Sequence, residues 1–159
     1  MSSTIRAIME NPLPAVWHQK RLSYRTSLDE VIYCFHFLNR EVFYNTLPVP
    51  EFEVKARCRD YWGYCFGYGA DDHKSNVVIR LSDKWYCRQW FITTLAHEMV
   101  HQYQWDVIGK ERIKRGLQPL ISHGPTFFVF REHLANHGIS LKTSHSTQKW
   151  FKHQNLFKC

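Results

Sequence analysis

The pentad His97-Glu98-Met99-Val100-His101 constrains this chain more than any other feature. It sits inside an apolar run with helical periodicity, from residue 85 to about 106. Histidines four residues apart on a helix lie one turn apart and only about 40° apart around its axis. Two imidazoles can therefore meet one metal ion from the same face. Glu98 beside them is placed to act on a water rather than to ligate the metal. Phe91, Ile92, Leu95, Ala96, Met99, Val100 and Tyr103 form a broad apolar arc facing away from the histidines. The spacing predicts a mostly buried helix whose one polar strip opens into a cleft. Two solvated histidines would be unremarkable on an exposed helix, but not on this one.

The flanking chain predicts the rest of the fold. Ser27-Leu28-Asp29-Glu30 reads as a capping box, with Ser27 as N-cap and Glu30 three residues on. Leu28, Val31, Ile32, Phe35, Leu38 and Val42 follow at helical spacing, so a first helix is expected to about residue 44, before Leu47-Pro48-Val49-Pro50. Three strands are expected next, at 52–58, 62–68 and 76–82, in a mainly antiparallel sheet. In the second, Trp62, Tyr64, Phe66 and Tyr68 share one face while Gly63, Cys65 and Gly67 share the other. Such a nearly bare face suits the close approach of another backbone. The pentad helix follows the sheet. From 106 to 122 the pattern breaks, predicting a long loop. Pro125 then suits the first turn of a C-terminal helix that carries Phe127, Phe130 and Leu134 inward and ends near Gly138. The fold class is α+β. One domain is expected at 26–140, between an N-terminal extension (1–25) and a basic, aromatic tail (141–159).

Net charge is +7 in 159 residues, which points to polyanionic partners such as nucleic acid. The candidate contacts are Lys110, Arg112, Lys114 and Arg115 in the loop, and Lys149, Trp150 and Lys152 in the tail. Bases stack on aromatic side chains while phosphates meet cations, which is what such a tail offers a single strand. A solvated charge run, or a tail packed by its aromatics, explains the same residues. The five cysteines are odd in number and hold no C-x-x-C. Neither a disulfide framework nor a cysteine zinc ribbon is expected; reduced thiols in the cytoplasm fit better. Residues 1–25 have no apolar leader, and no apolar run approaches membrane-spanning length. A monomer without a membrane partner is expected.

The third metal ligand is the open question. A histidine six residues after His101, with a glycine between, would mark a metzincin, but those positions hold Ile108 and Gln104. Glu132, Glu111 and His123 remain. His123 is preferred, because it sits on a tight turn just before a helix start, and three neutral imidazoles plus a water make a competent catalytic zinc site.

These residues resemble the SprT-like zinc metalloproteases, the family that includes the protease domain of Spartan-type DNA–protein crosslink proteases. The resemblance covers about 27–139. It rests on Asn45-Thr46-Leu47-Pro48, Ile79-Arg80-Leu81-Ser82, Thr94-Leu95-Ala96-His97-Glu98-Met99-Val100-His101 and Ser122-His123-Gly124-Pro125-Thr126-Phe127. The pentad alone is shared by many zincins, but a pentad followed some twenty residues later by His-Gly-Pro-x-Phe is far more specific. The resemblance implies a zincin-like domain with one catalytic Zn2+ on His97, His101 and His123, and Glu98 as base. It also implies a protein substrate and single-stranded or duplex DNA as a partner. Many relatives continue into a cysteine zinc-binding subdomain that contacts DNA. Only Cys159 follows Cys87 here, so that module is not expected. Two rival readings stay open. One is a nucleic-acid-binding module whose zinc is structural, closed by a fourth ligand such as His133 or His137. The other is a protease of one specific partner protein, with no DNA involved.

Overall fold

The computed structural model describes residues 22, 24–56, 61–119 and 121–143. Ser27 caps the first helix through its hydroxyl, which accepts the Glu30 N–H at 3.2 Å. Helix α1 (Leu28–Glu41) follows, burying Val31, Cys34, Phe35 and Leu38. The Glu30 carboxylate accepts from the Tyr24 hydroxyl and pairs with Arg88 at 3.3 Å. Tyr24 lies in β1 (Tyr24–Arg25), which pairs antiparallel with β5 (Lys84–Trp85). The end of the expected N-terminal extension thus belongs to the packed unit. Beyond α1 the chain reverses through Tyr44 and Asn45, both at φ 56°. The Asn39 amide fastens this reversal by donating to the Leu47 carbonyl at 2.8 Å and accepting the Leu47 N–H at 3.2 Å.

The sheet holds β2 (Glu51–Lys55), β3 (Gly63–Gly67) and β4 (Val77–Ser82) in the order β2-β4-β3. β4 runs parallel to β2 and antiparallel to β3, so the sheet is mixed rather than mainly antiparallel as expected. Burial explains why β4 takes the centre. Val77, Val78, Ile79 and Leu81 are all buried, whereas β2 carries charges outward and β3 exposes Tyr64. On the outer face Val78 is followed by Arg80, which pairs with Glu53 of β2 at 2.6 Å and ties the central strand to its neighbour. The inner face, formed by Val77, Ile79 and Leu81 with Phe52 and Val54 of β2, packs into the main core.

Helix α2 (Arg88–Tyr103) lies against this face and is buried without interruption over 93–102. Cys87, just before it, is disulfide-bonded, while Cys34 and Cys65 are free. The expectation of five reduced thiols is corrected in this respect. A disulfide outside any C-x-x-C leaves no spacing signature to read.

The long loop expected from 106 is helical for half its length. α2 continues into a wide π turn, Gln104–Gly109, and then α3 (Lys110–Lys114). The polar Asp106 that looked like a break is buried. Its carboxylate accepts from the Ser75 hydroxyl (2.6 Å), the Asn76 N–H (2.9 Å) and the Gln102 amide (3.1 Å). Gly109 serves the turn as well: a Cβ there would lie 2.6 Å from the Gln104 carbonyl oxygen.

A 3-10 turn, Phe127–Phe130, leads into α4 (Arg131–Asn136). Phe127, Phe130 and Leu134 point inward as the sequence predicts. Gly138 closes the helix at φ 74°, with the Ile139 N–H returning to the Leu134 carbonyl at 2.9 Å. Ile139 and Leu141 are buried too, so packing continues past residue 140. Among the described residues no helix is long and apolar enough to cross a membrane.

Candidate metal centre

His97 and His101 stand one turn apart on the buried length of α2, their ring centroids 4.9 Å apart. His123 comes from the bend at 122–124, with its centroid 5.2 Å from His97 and 5.0 Å from His101. Phe127 supports all three rings, at 4.9, 5.0 and 4.8 Å from His97, His101 and His123. One nitrogen from each imidazole lies within 4.8 Å of the other two. The Nε2 atoms of His97 and His123 are 3.4 Å apart. Two nitrogens on a tetrahedral zinc, at about 2.0–2.1 Å from the ion, stand roughly 3.3–3.4 Å from each other. The residues present therefore fit a metal ion.

Protonation agrees with this geometry. His97 Nδ1 lies 2.9 Å from the Lys142 carbonyl, which can only accept. The ring proton is thus on Nδ1, and Nε2 keeps its lone pair. His101 Nδ1 is held by the Gln104 side-chain oxygen at 2.8 Å. Burial pushes the His101 and His123 pKa values down; the Gln104 bond raises the first a little and the neighbouring His123 lowers it further. Neutral imidazole is the form that ligates.

Glu98 is 6% exposed and packs under β3. Burial lifts its pKa to about 8, opposed by the Cys65 backbone N–H, which donates to the carboxylate. The bare face of β3 explains how the strand comes so close. A Cβ on Gly63 would lie 2.8 Å from Thr94 Cγ2 and 3.1 Å from Glu98 Cγ. A Cβ on Gly67 would run into the Trp105 indole. Burial also drives the Cys65 thiol far above its usual range, helped by the charges of Glu98 and Asp106, so it is an inert packing group. Among the described residues β3 is an edge strand. Trp62 and Tyr68 direct their backbone groups at β4, through Ser82 N–H to Trp62 C=O and Tyr68 N–H to Asn76 C=O. By alternation, the backbone groups of Gly63, Cys65 and Gly67 face the outer edge, beside Glu98.

The remaining sequence candidates lie elsewhere. Glu132 and Glu111 are exposed and stand outside the histidine group, which is the one such cluster among the described residues. His133 is exposed and bonded to the Tyr44 hydroxyl at 2.7 Å, and His137 is exposed. In the basic cluster, Lys114 pairs with Asp72 at 2.6 Å and Glu111 at 3.3 Å, and Arg112 Nε donates to the Gln118 carbonyl at 3.0 Å. Lys110 is half-buried and Arg115 exposed. Lys149, Trp150 and Lys152 lie outside the described residues. The sequence does not reveal three contributors to the site, Gln104, the Lys142 carbonyl and the Cys65 N–H, whereas the close seat of Gly63 agrees with the bare face expected of this strand. Compared with known proteins, the chain matches no family model and no curated protein.

Proposed function

We propose that this chain is a zinc-dependent metalloendopeptidase of the SprT-like type. The observation that carries the reading is the meeting of three imidazole nitrogens within 4.8 Å next to a buried carboxylate. Bound zinc supplies a Lewis acid for the peptide carbonyl and lowers the pKa of water to about 7. His97, His101 and His123 hold the ion. Glu98 takes a proton from the attacking water and passes it to the leaving amine. The Cys65 N–H aims the carboxylate. The outer edge of β3 offers backbone partners to an extended segment of substrate, which binds as an added strand.

A catalytic site keeps a coordination position free of protein, whereas a structural zinc is normally closed by four ligands. Neither His133 nor His137 joins the histidine group, which favours catalysis. The net charge of +7 and the family resemblance support proteins held on DNA as substrates. The test compares Glu98→Gln with wild type on an unfolded protein and on a DNA-crosslinked one, with zinc measured in both. The variant is expected to keep zinc and lose cleavage; equal cleavage would dispose of the hydrolase. DNA affinity across a salt titration decides the substrate class, since phosphate contacts weaken steeply with salt. Absence of salt-dependent binding would leave a protease of a specific partner.

A further inference from the structure

We propose that Gln104 is a positioning residue that sets the tautomer of His101 and docks the His123 turn onto the pentad helix. This rests on the metal-centre reading above. Gln104 is fully buried at the first position of the π turn, a type of turn that gathers at functional sites. Its amide nitrogen donates to the Ser122 carbonyl at 2.8 Å and to the Thr126 hydroxyl at 2.9 Å. Its amide oxygen lies 2.8 Å from His101 Nδ1.

The chain of constraint starts at Ser122. A carbonyl only accepts, so the nitrogen end of the amide must face it. The oxygen end must then face His101. That oxygen also only accepts, so His101 carries its proton on Nδ1 and leaves the Nε2 lone pair for the ion. One backbone carbonyl, through one side chain, thereby fixes which atom of a metal ligand is available. The two donor bonds do a second job. Ser122 and Thr126 bracket His123, so the amide pins both sides of the turn that delivers the third ligand. His123 is itself exposed, and Phe127 is the apolar anchor of that turn. Partners that orient metal-binding histidines typically account for 10–100-fold in metal affinity.

The test uses Gln104→Met, which keeps the length and removes both arms, and Gln104→Glu, which keeps the acceptor and removes the donors. Nitrogen-15 shifts of the imidazoles are read in the metal-free protein, and zinc affinity is read by competition with a chelator. Wild type is expected to show His101 protonated on Nδ1. In Gln104→Met that tautomer is lost and zinc binds roughly 10–100-fold more weakly. In Gln104→Glu the tautomer returns while the His123 ring becomes mobile. A Gln104→Met protein with the wild-type tautomer and wild-type zinc affinity would overturn the proposal. Should Gln104→Met not fold, Gln104→Glu decides: a His123 ring as ordered as in wild type would overturn the docking role. If wild type binds no zinc, the metal-centre reading fails, and the metal-free tautomer still tests the role of Gln104.

Discussion

Gly67→Ala tests how β3 is seated on the helix beneath it. Glycine inside a strand ordinarily weakens it, and replacement by alanine gains roughly 0.5–1 kcal/mol where the backbone permits. The backbone at Gly67 does permit it, because its φ lies outside the left-handed region. The space does not. The new Cβ would fall 2.2 Å from Cδ2 and Cε2 of Trp105 and 2.4 Å from Cε3. Carbon atoms rest at about 3.5–4.0 Å, so the indole must retreat by on the order of 1.5 Å. Its Nε1–H donates to the Gly69 carbonyl at 2.8 Å and resists that retreat. Overpacking costs about 1–3 kcal/mol and a lost hydrogen bond about 1 more. Set against the gain from replacing glycine, the net loss is about 1–3 kcal/mol, a fall in Tm of roughly 3–12 °C. Thermal melts of Gly67→Ala, Trp105→Ala and the double variant measure it. The alanine is expected to cost far less where Trp105 is already gone, since the two residues share one contact. Gly69→Ala is the control, because its Cβ would meet Asn76 Oδ1 at 3.3 Å and should stay within about 1 kcal/mol. A Gly67→Ala protein that melts at or above wild type would refute the seating of β3.

Two further predictions concern buried charge. The folded protein favours protonated Glu98, with a pKa of about 8 against an ordinary 4.5, so metal-free stability is full below pH 4.5 and declines as pH rises to about 8. The penalty at pH 7 is on the order of 3 kcal/mol. Glu98→Gln, uncharged and still able to accept the Cys65 N–H, is expected to stabilise the metal-free protein at pH 7 and to give no gain at pH 4.5; an equal gain at both would count against burial as the cause. Asp106→Ala strips the acceptor from Ser75, Asn76 and Gln102 at once, and urea unfolding should show a loss of about 3 kcal/mol or more. A loss below about 1 kcal/mol would mean that the network is solvated.

Helices were easier to read in this chain than what joins them. The Ser27 cap, the apolar stripe of α1 and the inward set of Phe127, Phe130 and Leu134 follow from local periodicity, which local sequence contains. The strand order does not. β4 takes the centre of the sheet because it buries more of its length than β2 or β3, a comparison among strands that no single segment states. The stretch after Asp106 conceals its helix for a related reason. A carboxylate, two glycines and a cluster of cations look like a solvated loop until Ser75 and Asn76, thirty residues away, arrive to bury the carboxylate. In the candidate site, the histidine ligands and Glu98 carry their chemistry in their side chains and so could be named in advance. Gln104 was noticed in the sequence only as the residue that excludes a metzincin. The disulfide at Cys87 depends on proximity in the fold and leaves no pattern in the chain.

The bond from His97 to residue 142 is made by a carbonyl that every amino acid possesses. Substituting the lysine should therefore leave the ring where it is, whatever replaces it. Inserting or deleting a residue between the end of α4 and this point would move a different carbonyl past the ring and unseat it. The site is thus tolerant of spelling at this position and intolerant of length, and a comparison that scores only which letters match would overlook a strand of chain on which the first ligand leans.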